Sequence, residues 1–201
     1  MWLLSGRFVL VAAVSRSIFK PLLLAAVAAF SLSACSVLDS VGSMVGLGEP
    51  KLKDGELPMP ANYKSWPKFL SAVQRPDAKQ VREIYMNAPA QGATAASGFP
   101  NGTVFVMENY AAQANPDGSL KTGPDGKLVK GDLLRVFVMG KNAGWGQEVV
   151  EPLRNGNWIY AGYLPNGTRS PEDTNTCRAC HVPLSAKDFV HRYDEHFASA
   201  R

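Results

Sequence analysis

The chain has 201 residues, 46% hydrophobic and 19% charged. That balance suits one globular domain plus an N-terminal addition, and excludes wholesale disorder and a multi-span membrane protein. The pI near 9.0 does not mark a nucleic-acid binder: removing Arg7, Arg16 and Lys20 of residues 1–34 from the 21 basic and 17 acidic groups leaves 18 against 17, too close to neutral to hold a polyanion.

Residues 1–34 read as a signal peptide. Leu22 to Ala34 is an uncharged apolar run behind Lys20, shorter than the roughly 20 residues of a helical membrane span and matched to a signal-peptide core of about 7–15. Leu32-Ser33-Ala34-Cys35 resembles the bacterial lipobox, in which the cysteine carries lipid and anchors the mature protein to a membrane. An ordinary signal peptide with an incidental Cys35 and a retained single anchor are the alternatives. All three put the folded part outside the cytoplasm, in the periplasm of a bacterium. Residues 35–61, punctuated by Gly42, Gly46, Gly48, Pro50, Gly55, Pro58 and Pro60, read as a flexible tether. One domain then fills 62–201.

Within that domain, Ser65-Trp66-Pro67 reads as a helix start leading into Phe69, Leu70 and Val73. Val81 to Met86 alternates with β-formers. Asn101-Gly102 marks a turn before Thr103 to Tyr110, the strongest strand pattern in the chain. On it, alternation puts Phe105, Met107 and Asn109 on one face and Val104, Val106 and Glu108 on the other. A polar loop from Asn115 to Lys130 reads as a solvated hairpin connection. Asp132 to Met139, Gln147 to Val150 and Trp158 to Tyr163 complete about five strands, joined by turns rather than helices. Ser185, with Asp188 three residues on, reads as the cap of a final helix with Phe189, Val190, Tyr193 and Phe197 as its apolar stripe. The fold class is α+β, a single domain dominated by an antiparallel sheet with a few helices.

The chemistry sits in Cys177-Arg178-Ala179-Cys180-His181, a CxxCH motif and the attachment signature of haem c. Two thiols three residues apart can each add to one vinyl group of a porphyrin, and the adjacent His181 is then held under the ring with a nitrogen toward the iron. A zinc site, a thioredoxin-like redox pair and a disulfide between Cys177 and Cys180 are the competing readings. Zinc would want four ligands, and Cys35, His191 and His196 are the remaining candidates. The redox pair would want a βαβ setting. The disulfide leaves His181 unexplained. On the iron's other side stand Met86, Met107 and Met139 as strand-borne candidates; His191 and His196 read as surface residues or as neighbours of the iron ligand. Trp66, Trp145 and Trp158 read as packing residues. Arg135, interrupting an apolar strand, reads as partner to a haem propionate or to a structural acid.

The chain resembles the cytochrome P460 and cytochrome c′-β family. The likeness is carried by Tyr63-x-x-Trp66, Arg82-x-Ile84-Tyr85-x-Asn87, Phe99-Pro100-x-Gly102-Thr103-Val104-x-Val106, Val138-Met139-x-Lys141, Gly144-Trp145-Gly146, the Trp158 segment, and Cys177-x-x-Cys180-His181 followed by Asp188-Phe189-Val190. The resemblance implies a small antiparallel β fold holding one covalent haem c with five-coordinate iron, in a periplasmic protein that is commonly a homodimer. In the hydroxylamine-oxidising members a lysine cross-linked to the porphyrin stands where this chain has Met107, and a thioether cannot form that link. With Phe105 beside it, the distal pocket is expected to be apolar, as in cytochrome c′-β. The expected function is binding of nitric oxide or a related small gaseous or nitrogenous ligand. A P460-type hydroxylamine oxidoreductase (with Lys141 as the one substitute for the cross-link) and a Met-ligated electron carrier are the alternatives.

Overall fold

The computed structural model describes residues 51–199; the expected signal peptide and Cys35 lie outside the described residues. Five strands, β1 (Lys68–Arg75), β2 (Gln80–Met86), β3 (Val104–Ala112), β4 (Lys130–Lys141) and β5 (Trp158–Tyr163), form one antiparallel sheet in sequence order. Three short α-helices accompany it: α1 (Ala88–Gln91), α2 (Thr174–His181) and α3 (Tyr193–Ser199). This is the α+β, sheet-dominated architecture expected. Between β3 and β4, two isolated bridges, Ala114 with Leu120 and Thr122 with Leu128, fold the exposed loop back on itself.

The sheet has two unlike faces. Tyr85, Val106, Val136, Val138 and Ile159 join one core cluster with Leu57 and Tyr63. On the opposite face, Phe69, Phe99, Phe105, Trp158 and Tyr193 gather into an aromatic cluster; Phe99 and Phe105 meet edge to face at 4.9 Å, and Phe105 stacks on Trp158 at 5.8 Å. Such pairs contribute roughly 0.5–1.5 kcal/mol each beyond burial. Glu108 points into the first core, 1% exposed. Its carboxylate accepts from Tyr63 (2.7 Å), Tyr110 (2.8 Å) and Tyr85 (3.0 Å), which satisfies a charge that burial would otherwise disfavour.

Three sequence expectations are corrected. The segment after Trp66-Pro67 is strand β1, not a helix. Its pairing with β2 slips by one extra residue between Lys68 and Leu70 and again between Leu70 and Val73, and Ala72 takes a left-handed φ of 49°. These bulges place the buried Phe69 and Val73 four residues apart, a spacing that imitates a helix. Gln147 to Val150 is not a strand: Gly144 and Gly146 have positive φ, and a Cβ on Gly146 would stand 2.9 Å from the Trp158 carbonyl oxygen, so the chain turns tightly there instead of pairing. The final helix does not begin at Ser185. A 3-10 stretch, Val182–Lys187, ends in left-handed Asp188 and Phe189, and α3 starts at Tyr193. The Asp188 carboxylate is drawn instead to the Phe99 amide (2.8 Å) and the Lys141 ammonium (2.8 Å).

Residues 51–61, expected as part of the tether, are packed on the domain instead. Leu57 is 4% exposed within the core, the Gly55 amide donates to the Tyr160 carbonyl, and Asp54 pairs with Arg178. Arg178 is wholly buried, its Nε 2.5 Å and Nη2 2.9 Å from the Asp54 carboxylate, with the Trp158 carbonyl also accepting from Nη2.

Removing one partner strands a buried charge. Asp54→Ala should therefore lower unfolding free energy by about 3–5 kcal/mol in chemical denaturation, far more than removal of an exposed ion pair. A second outcome concerns acid. Burial opposes the charge on Glu83, but hydrogen bonds from Ser71, Lys130 and Lys68 outweigh it and hold the carboxyl at about 2 against an ordinary 4.5. A depressed carboxyl stabilises the fold above its unfolded pKa and loses that contribution as pH falls through the folded value. Stability should thus decline from pH 4.5 toward 2, and the decline should flatten in Glu83→Gln, measured by thermal melts across that window.

Candidate functional site

Helix α2 is built around its own termini. The Asp173 side chain caps it, accepting from the Asn175 amide at 2.9 Å. Cys177, Cys180 and His181 then fall at i, i+3 and i+4, one face of a helix, while Arg178 projects elsewhere and bolts the helix to Asp54. That face borders a cavity of about 910 Å³, near the upper end of the size of cofactor and ligand sites. The facing wall is the sheet: Phe105, Met107 and Asn109 of β3, with Ile84, Phe137 and Met139 on the neighbouring strands. All five pocket residues expected from sequence, Phe105, Met107, Cys177, Cys180 and His181, thus border one space.

His181 is set up as a neutral nitrogen donor. Burial pushes its imidazole down to about 4, so it carries no charge at neutral pH. Its Nδ1 lies 2.6 Å from the Phe189 carbonyl oxygen. A carbonyl only accepts, so Nδ1 carries the proton and Nε2 keeps its lone pair. The Tyr160 and His191 rings flank it at 5.1 and 4.7 Å. Burial, with Glu172 and Asp54 nearby, pushes the Cys177 thiol up to about 11, whereas Cys180 is exposed. Asn109 and Tyr160 also border the cavity, and their buried Oδ1 and Oη have no hydrogen-bond partner among the described residues.

Other candidates are placed elsewhere. His196 is buried, stacked on Phe69 at 4.2 Å; its Nδ1 is 3.0 Å from the Phe69 carbonyl. It is a core residue, not a surface one. Met86 joins the aromatic cluster, and Met139 borders the cavity. Lys141 is committed to Asp188 and to the Phe99 carbonyl at 2.7 Å. Arg135 pairs with Glu172 at 2.8 Å. Trp158 is fully buried, and Trp66 and Trp145 pack against the first core cluster. Among the described residues no group of three or more His, Cys, Asp or Glu comes together to hold a metal ion, so the zinc reading finds no ligand set there.

Sequence reasoning missed Tyr160 and Arg82. Arg82, half-buried at the cavity, is bonded to the neutral Gln80; burial and the nearby Arg75 push its basicity down. Its signal was available: a charged residue sharing a strand face with Ile84, one of the sheet-wall residues.

Residues 60–192 match the sequence model of the family described as Cytochrome P460. That span exceeds half the chain, and the chain belongs to this family; membership makes it a haem c cytochrome. No curated protein matches it. The cavity fits such a group: it is large and mainly apolar, and two free thiols and a neutral imidazole border it together.

In chain produced without haem, Cys180 should be alkylated by iodoacetamide at least tenfold faster than Cys177 at pH 8, because burial and a raised thiol deplete the reactive thiolate. Peptide mass mapping over time measures the two rates.

Proposed function

We propose that this member of the cytochrome P460 family is an exported monohaem cytochrome that binds nitric oxide or a closely related small ligand. In this reading Cys177 and Cys180 hold the haem through thioethers, His181 Nε2 is the proximal ligand, and Phe105 and Met107 form the distal wall. When bound, the haem supplies the iron at which the small ligand is held.

The observation that carries the reading is the chemistry of the sheet wall. Among the strand residues bordering the cavity none is a lysine or a carboxylate. The family resemblance puts Met107 at the position of the cross-linking lysine, and Lys141, the one substitute considered, is occupied by Asp188 and Phe99. Glu108 faces the other core, held by three tyrosines. The wall therefore offers neither a cross-linking amine nor a carboxylate base; the carboxylates that border the cavity, Glu172 and Asp173, lie outside the sheet, and Glu172 is paired with Arg135. Beside Arg75, Arg82 and Asn109 the wall offers mostly apolar contact, from Ile84, Phe105, Met107, Phe137 and Met139, and that part of it favours a neutral diatomic over a solvated anion. Export by residues 1–34, with lipid on Cys35, fits this reading, because bacterial haem c is attached outside the cytoplasm.

The ferrous holoprotein should show a five-coordinate spectrum that changes on adding carbon monoxide or nitric oxide. Met107→Ala should leave the ligand-free spectrum unchanged, and Phe105→Ala should speed ligand association severalfold. A six-coordinate low-spin spectrum indifferent to carbon monoxide would overturn the proposal. Loss of that spectrum in Met107→Ala would assign the sulfur as ligand and the protein as an electron carrier.

A further inference from the structure

The segment after the CxxCH helix holds two successive non-glycine residues in the left-handed region, Asp188 at φ 49° and Phe189 at φ 58°. Such a pair persists only where the surroundings over-determine it. Here the surroundings are polar and specific. The Asp188 carboxylate accepts from the Lys141 ammonium (2.8 and 2.9 Å), the Phe99 amide (2.8 Å) and the Trp158 indole (3.3 Å). Lys141 comes from the end of β4 and donates further to the Phe99 carbonyl. Neither residue borders the large cavity. Yet the residue next to Asp188 is Phe189, whose carbonyl oxygen is the acceptor for His181 Nδ1. Gly98 shows how closely the carboxylate is fitted: a Cβ there would meet Asp188 atoms at 3.1 to 3.3 Å.

We propose that Lys141 and Asp188 are positioning residues for His181: their ion pair fixes the left-handed turn that aims the Phe189 carbonyl at Nδ1, and so sets how strongly the imidazole donates to iron. This rests on the reading of His181 as the proximal ligand. A hydrogen bond from the distant nitrogen of a ligating imidazole raises its basicity and fixes its orientation. Weakening that bond lowers donation to the metal, which loosens the iron–nitrogen bond and favours the reduced state. The ion pair thereby couples the sheet, which carries Lys141, to the electronic state of a ligand on a separate helix.

Resonance Raman spectra of the ferrous holoprotein read the iron–imidazole stretch directly, and redox titration reads the midpoint potential. The native protein should show the stretching band. A normal c-type haem without that band would not be five-coordinate through His181 and would overturn the proposed function on which this inference rests, before any variant is made. With the band present, Asp188→Asn should move it to lower frequency and raise the potential. Lys141→Met should shift both the same way, and Lys141→Arg should return them toward native values. Gly98→Ala, which changes no charge, should displace the carboxylate and act in the same direction, so the test survives if one variant fails to fold. Variants that lose thermal stability while band and potential stay at native values would show a merely structural pair and overturn the proposal.

Discussion

Arg178 buries its whole guanidinium between the CxxCH helix and the start of the described chain, and the site depends on that contact. An eight-residue helix is too short to stand alone in water. It is held because Asp54 and the Trp158 carbonyl accept from the arginine that lies between its two cysteines. The residues that carry the chemistry and the residue that anchors them share one helix by projecting in different directions. Fixing Arg178 therefore fixes the bearing of Cys177, Cys180 and His181.

The second constraint is the alternation of β3. The same strand sends Phe105, Met107 and Asn109 toward the cavity and Val106 and Glu108 into the opposite core. The division separates two chemistries by the thickness of a sheet. On β3 the cavity side carries an aromatic ring, a thioether and an amide, while the far side sequesters a carboxylate among three phenols. A shift of one residue in register would exchange them, bringing a charged group to the cavity and a thioether to the core. The unbroken pairing of β2 with β3 from Gln80–Ala111 to Met86–Phe105 prevents that shift.

Much of this was legible along the chain. The strands at 81–86, 103–110, 132–139 and 158–163 are runs of β-forming residues, alternating in the first two and bounded by turn residues, and local pattern decides where backbone and burial agree. The first strand was not legible, because two bulges convert alternation into a four-residue spacing that belongs equally to a helix. The stretch 147–150 was misread for the converse reason. Its β-formers are real, but the glycine turn before it closes against Trp158 and Arg178, a contact made by residues far along the chain. The segment around Asp188 failed likewise: a carboxylate three residues after Ser185 looks like a cap until Lys141 and the Phe99 amide, distant in sequence, compete for it.

The sequence by itself determined which groups come together as candidates to hold the haem, and on which faces the strand residues lie. Two thiols and an imidazole at fixed spacing constitute a haem-attachment motif wherever they lie, and strand alternation assigns a face to every residue between bulges. Only the tertiary structure decided which nitrogen of His181 is free, which lysine is spent on an ion pair, and that residues 51–61 pack on the domain with Leu57 in its core. Those outcomes turn on hydrogen bonds and ion pairs between residues as much as 124 positions apart. Such contacts leave no period or spacing in the chain, because they exist only once the sheet has brought their partners together.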